Sequence, residues 1–173
     1  MNERGFTLAE LLVASAVLGV IMLGVFTVQR QGLSAYQVGT ARVEVQQNAR
    51  AALETMFNEI RAAREITVVQ AGCGIGPAPG GGATTISISD QNGTAIQYQL
   101  VGTNLQRNGD TLIGGVQSLQ IWCYNFTGAL TATAGSVRSV HVRVSTQTES
   151  VVTATSGRNQ HAVMETRVRL RNL

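Results

Sequence analysis

Glu10 is a lone carboxylate at the mouth of an apolar run, since Leu11 to Gln29 follow it without one charged side chain. On insertion scales a carboxylate at the centre of a bilayer costs roughly 2.5–3.5 kcal/mol, and less toward the interface. Glu10 therefore needs a shallow position or a partner, and a partner means assembly. Thr7-Leu8-Ala9-Glu10 also has the capping-box form, in which the hydroxyl and the carboxylate three residues on satisfy free amide donors at a helix start. The two roles are compatible. One side chain could cap its own helix or meet a neighbour's cation, and only the second role requires another subunit.

Elsewhere the chemically capable residues are scattered. His141 and His161 lie within or beside alternating strand patterns, Asp90 and Asp110 lie at turn signals, and no nucleophile, base and orienting acid share a motif. No catalytic residue and no cofactor are expected, so the chain reads as a non-enzyme. Two isolated aspartates are poor material for calcium, which takes about 6–8 oxygens, so no metal site is expected. Gly72-Cys73-Gly74-Ile75-Gly76 has the look of a phosphate loop, but Pro77-Ala78-Pro79 stands where a helix would have to open. Cys73 and Cys123 are the two cysteines of the chain. They allow one disulfide if this part is exported, or they remain two buried thiols, which pack as small apolar side chains.

Those residues must be carried by a chain of 173 residues, enough for one modest domain plus an extension. All thirteen basic residues are arginine, and the net charge of +3 is too mild and dispersed to predict nucleic-acid contact. Sparse aromatics with abundant Gly, Ser, Thr and Gln predict a thin-cored β domain with many turns.

Leu11 to Val28, about 18 residues at 1.5 Å each, spans roughly 27 Å, nearly a hydrocarbon core. A cleaved secretory signal is the first alternative, because Ala14-Ser15-Ala16 has the A-x-A form, but too little apolar sequence precedes it. A plain signal anchor is the second, and it leaves Glu10 unexplained. Beyond Val28 the chain turns polar yet keeps a helical rhythm: Val38, Ala41, Val45, Ala49, Ala52, Leu53, Met56, Phe57, Ile60 and Ala63 form one face. Arg42, Gln46, Arg50, Glu54, Asn58, Arg61 and Glu65 occupy the other, with Arg50–Glu54 and Arg61–Glu65 spaced for weak ion pairs. A near-continuous helix from Phe6 to about Ile66 would be roughly 90 Å long, and its lower half must meet lipid or other subunits.

After a short strand from Ile66 and a Gly/Pro-rich connector, Asn92-Gly93 and Asn108-Gly109 mark two hairpins. Further strands fit Val116 to Asn125, Val137 to Thr146 and Val163 to Arg171. The expected fold is α+β, a long N-terminal helix packed on an antiparallel sheet of about six strands. The segments are 1–5 as leader, 6–29 as membrane helix, 30–69 as amphipathic helix, 70–83 as connector and 84–173 as the β-rich head. Loops 127–136 and 149–160 are the expected contact surfaces.

Arg4-Gly5-Phe6-Thr7-Leu8-Ala9-Glu10-Leu11-Leu12-Val13 resembles the class III signal of type IV pilins and type II secretion pseudopilins. In that signal a basic-Gly cut site is followed by Phe and, as fifth residue after the cut, Glu. The resemblance implies that prepilin peptidase cleaves between Gly5 and Phe6 and N-methylates Phe6, with Glu10 and Thr7 at the assembly end. Glu10 would pair with the N-terminal amine of a neighbouring subunit. The implied partners are other minor and major pilins or pseudopilins in a hetero-oligomeric filament, an inner-membrane assembly platform and membrane lipid. The implied location is a single pass of the inner membrane with the head in the periplasm, then a pilus or pseudopilus at the cell surface.

Many major pilins carry a proline inside the apolar helix, and this chain has none there, so Gly19 and Gly24 are its soft points. Gln46 to Leu53 and Glu59 to Ala63 resemble the stalk of the larger minor pilins, the W-type pilins and J-type pseudopilins. Tyr98 with Leu100, Leu105-Gln106-Arg107 and Gly115-Val116 with Leu119 extend that similarity into the head. The function implied is initiation or capping of a type IV pilus. The alternatives are a J-type pseudopilin of secretion or DNA uptake and, from another class, a membrane-anchored binding domain with no assembly role.

Overall fold

The structure is a computed structural model and describes residues 6–69, 73, 76, 81–148 and 159–171. Its first element is a helix, α1, over Leu8–Ala62. Leu, Val and Ala make up most of its first half and proline is absent, so little interrupts the ladder. The helix continues through Gly19 and Gly24, the expected soft points, without a break. Polar side chains in this stretch return to the backbone: Ser15 Oγ donates to Leu12 O at 2.9 Å and Thr27 Oγ1 to Gly24 O at 2.7 Å. An apolar surrounding would otherwise leave those hydroxyls without a partner.

The chain divides into two compact units, Met1–Thr40 and Ala41–Leu173. In the second, the helix buries Ala41, Val45, Ala49, Ala52, Leu53, Met56 and Ile60, a three- and four-residue rhythm that makes one apolar stripe. Val38 and Phe57, expected on that stripe, are only half-buried, while Arg42, Gln46, Arg50, Glu54, Asn58, Arg61 and Glu65 are exposed. Among the described residues neither Arg50–Glu54 nor Arg61–Glu65 closes as an ion pair, and Arg61 lies over the Phe57 ring at 5.7 Å. The helix stops at Ala62, short of Ile66, because Ala63 N tightens onto Ile60 O and Arg64 N pairs with Ser89 O.

Among the described residues eight strands follow, where about six were expected. They are β1 Glu65–Val69, β2 Thr85–Ser89, β3 Ala95–Val101, β4 Asn104–Arg107, β5 Asp110–Ile113, β6 Val116–Tyr124, β7 Ser139–Gln147 and β8 His161–Arg169. They form two antiparallel sheets rather than one, an up-and-down order β1-β2-β3-β4-β5 and a second order β6-β7-β8. The division falls at Gly114-Gly115. Gly115 has φ 67°, where a side chain would be strained, and the turn sends Val116 N to Thr103 O instead of back along β5. Both sheets pack on the buried stripe of the helix, Ile86, Ile88, Tyr98 and Leu105 from one and Leu119, Ile121, Val142 and Val168 from the other.

The Asn108-Gly109 hairpin is a two-residue turn with both residues at positive φ, 54° and 92°, the arrangement that matches strand twist. Asn108 Oδ1 also accepts from Gln97 N at 2.7 Å, pinning the turn to β3. The Asn92-Gly93 turn is longer, spanning 90–94, and Asp90 Oδ1 closes it by accepting from Asn92 N and Thr94 N.

Candidate functional site

Helix α1 opens on the residues that the sequence marks for chemistry. Gly5 lies outside the described residues; Phe6 and Thr7 precede the helix, and Phe6 is 88% exposed. Leu11 N donates to Thr7 O at 3.2 Å, which begins the ladder. Thr7 Oγ1 accepts from Glu10 N at 3.3 Å, while Glu10 Oε2 accepts from Thr7 N at 2.9 Å and from Thr7 Oγ1 at 3.0 Å. This is the reciprocal capping box, with a carboxylate at the positive end of the helix dipole. A carboxylate offers about four lone-pair sites, and Thr7 occupies two. Capping therefore leaves Glu10 able to accept from a further cation.

Behind Glu10, the large apolar side chains from Leu11 to Val28 are exposed, Leu11 at 65% and Phe26 at 62% among them. This helix is long and apolar enough to cross a membrane. The site in this unit is thus a capped acid at the entrance to an apolar surface that nothing in the unit covers.

The other residues singled out from the sequence are placed apart from one another. Cys73 and Cys123 form a disulfide with their Cα atoms 5.2 Å apart, which ties the connector to β6. His141 faces Glu165 at 3.6 Å and the Trp122 ring at 5.2 Å between centroids. His161 opens β8 opposite Gln147, six residues along β7 from His141, roughly 20 Å at strand spacing. Asp90 serves its own turn, and Asp110 starts β5 opposite Arg107. Among the described residues no three of His, Cys, Asp and Glu are grouped to hold a metal ion.

One cluster went unrecognised in the sequence. Glu59, half-buried on the helix, accepts from the Tyr98 hydroxyl at 2.5 Å and from Arg107 Nε at 3.0 and 3.1 Å, with Arg107 Nη2 at 2.9 Å. Burial, reinforced by the bond to Glu59, pushes the Tyr98 phenol above its ordinary range, and the same carboxylate raises Arg107. The signal available was an acid directly beside buried Ile60, at the border of the apolar stripe. Thr146 adds a second tie, its Oγ1 donating to Val45 O at 2.9 Å in the interior.

Residues 1–26 match the family model described as the prokaryotic N-terminal methylation motif. The chain's N-terminus therefore carries a class III prepilin-like signal, and Gly5, Phe6, Thr7 and Glu10 all lie inside the matched stretch. A search of curated proteins gave no match to the chain.

Proposed function

We propose that the chain is a non-enzymatic minor pilin or pseudopilin that helps initiate or cap a type IV pilus filament. Prepilin peptidase cuts it between Gly5 and Phe6 and methylates Phe6, and the mature protein rests in the inner membrane with its β unit in the periplasm. The observation that carries this reading is Glu10, an exposed acid with lone pairs to spare, at the head of an uncovered apolar helix and inside the matched methylation motif. A neighbour's N-terminal ammonium is a cation that could meet it at that depth, and desolvation would strengthen the pair. Glu10→Ala is expected to leave membrane insertion normal and to abolish incorporation into filaments. Filament-associated protein that still begins at Met1 would overturn the reading.

The capping box favours a second reading, a membrane-anchored binding domain with no assembly role, because Thr7 already gives Glu10 local partners. On that reading Glu10→Ala changes nothing beyond helix stability. The J-type alternative shares the signal and the stalk, and recovery of the chain only from secretion or DNA-uptake pseudopili would favour it. A hydrolytic or redox activity that vanished on changing His141 or His161 would overturn the non-enzymatic part.

A further inference from the structure

The outer face of β7 and β8 carries a second site, unrelated to Glu10. A groove of about 400 Å³ is lined by Phe126, Arg138, Ser139, Arg167 and Arg169. The three arginines meet there because the ladder continues past β7: Leu170 N pairs with Arg138 O, and Ser139 lies opposite Arg169. Two guanidiniums are held in place by neutral groups. Arg167 stacks on the Tyr124 ring at 4.1 Å and donates from Nε and Nη2 to Ser139 Oγ, and Arg138 Nη1 donates to Gly135 O and Val137 O. Among the described residues the ion pairs are Glu59–Arg107 and His141–Glu165, so no carboxylate lies within ion-pair distance of this trio, Glu165 being turned to His141. Beside it Phe126 is 85% exposed on a loop stiffened by Asn125, whose Oδ1 accepts from Thr127 N, Thr127 Oγ1 and Ala129 N.

Guanidiniums held without a paired carboxylate, next to a large exposed aromatic ring, form an anion site with an apolar contact. Arginine forks match carboxylate geometry, and arginine with aromatics is the usual composition of interface anchors. Nucleic acid suits the groove less well, because a strand needs a basic track along its backbone. Here the basic patch is short, and Glu165 follows on the same face of β8, opposite Arg143. We infer that this groove docks an acidic peptide segment of a partner protein, one that sets a carboxylate on Arg167 and Arg169 and an apolar side chain on Phe126.

The test uses the full chain in detergent and three fluorescent probes: a C-terminally amidated tripeptide of aspartate, phenylalanine and glutamate, its equally amidated counterpart with asparagine and glutamine, and a short oligothymidine strand. Anisotropy is expected to rise saturably with the acidic peptide and not with its asparagine and glutamine counterpart. Arg169→Gln is the informative variant, since Arg169 is exposed and has no side-chain tie among the described residues to lose. Loss of one charge-assisted pair implies a Kd about tenfold weaker, with Arg169→Lys falling between the two. Absence of saturable binding, equal binding of both peptides, an unchanged Kd in Arg169→Gln, or tighter binding of oligothymidine at the same ionic strength overturns the inference. Glu10→Ala leaves every groove residue in place, so this site and the assembly reading fail separately.

Discussion

Replacing Tyr98 with phenylalanine removes one hydroxyl and keeps the ring, so it isolates the bond that ties β3 to α1. The phenol is buried and donates to Glu59 at 2.5 Å. A hydrogen bond to a charged acceptor contributes roughly 1.5–3 kcal/mol net. Glu59 keeps Arg107 in the variant, and its side chain is 26% exposed, so water replaces part of what is lost. The lower part of the range applies, about 1.5–2 kcal/mol. In a domain of this size each kcal/mol moves the midpoint about 3–4 °C, which gives a drop of about 5–8 °C in thermal unfolding followed by near-UV circular dichroism.

The same bond has an alkaline signature. Burial first, then Glu59, raise the phenol's pKa above its ordinary value near 10.0. As pH climbs past about 10, the unfolded chain releases this proton while the folded chain holds it, so the folded state binds more protons and stability falls. The contribution is complete below about pH 10 and is lost as pH rises through the folded pKa. Tyr98→Phe is expected to flatten that slope. A midpoint within about 1 °C of the parent, or the same slope between about pH 9 and 11, would refute the reasoning.

Two further perturbations test the β unit. The Cys73–Cys123 disulfide joins residues 50 apart, a closure that constrains the unfolded chain by about 4 kcal/mol, so Cys73→Ser should lower urea stability by up to that amount. An equal urea midpoint with and without reductant would count against it. At Asn108, φ is 54° and Oδ1 accepts from Gln97 N, so Asn108→Ala should cost about 2–3 kcal/mol. Asn108→Gly removes only the acceptor and should cost about half as much by the same unfolding measurement.

The apolar stripe from Ala41 to Ile60 was readable because burial against one surface imposes a helical period, and period is a property of the chain itself. Asn108-Gly109 was readable because a two-residue turn demands positive φ, which few residue pairs accept. The Thr7 and Glu10 cap was readable because its partners are three residues apart, within reach of one helical turn. Cys73 and Cys123 were open between bridge and free thiols, since pairing depends on where β6 meets the connector.

Tertiary structure decided what joins distant segments. Glu59 looks like any solvent-facing acid until β3 and β4 bring Tyr98 and Arg107 to it, 39 and 48 residues away. The split into two sheets turned on the backbone at Gly115, and the basic groove exists only because the strand register sets Arg138, Arg167 and Arg169 side by side. Spacing along the chain therefore determined the helix, its cap and the acid at the mouth of the apolar run, all of which form within a few residues. Register and loop closure act between residues far apart in sequence, so the Glu59 clamp, the sheet division and the arginine groove had to come from the folded chain.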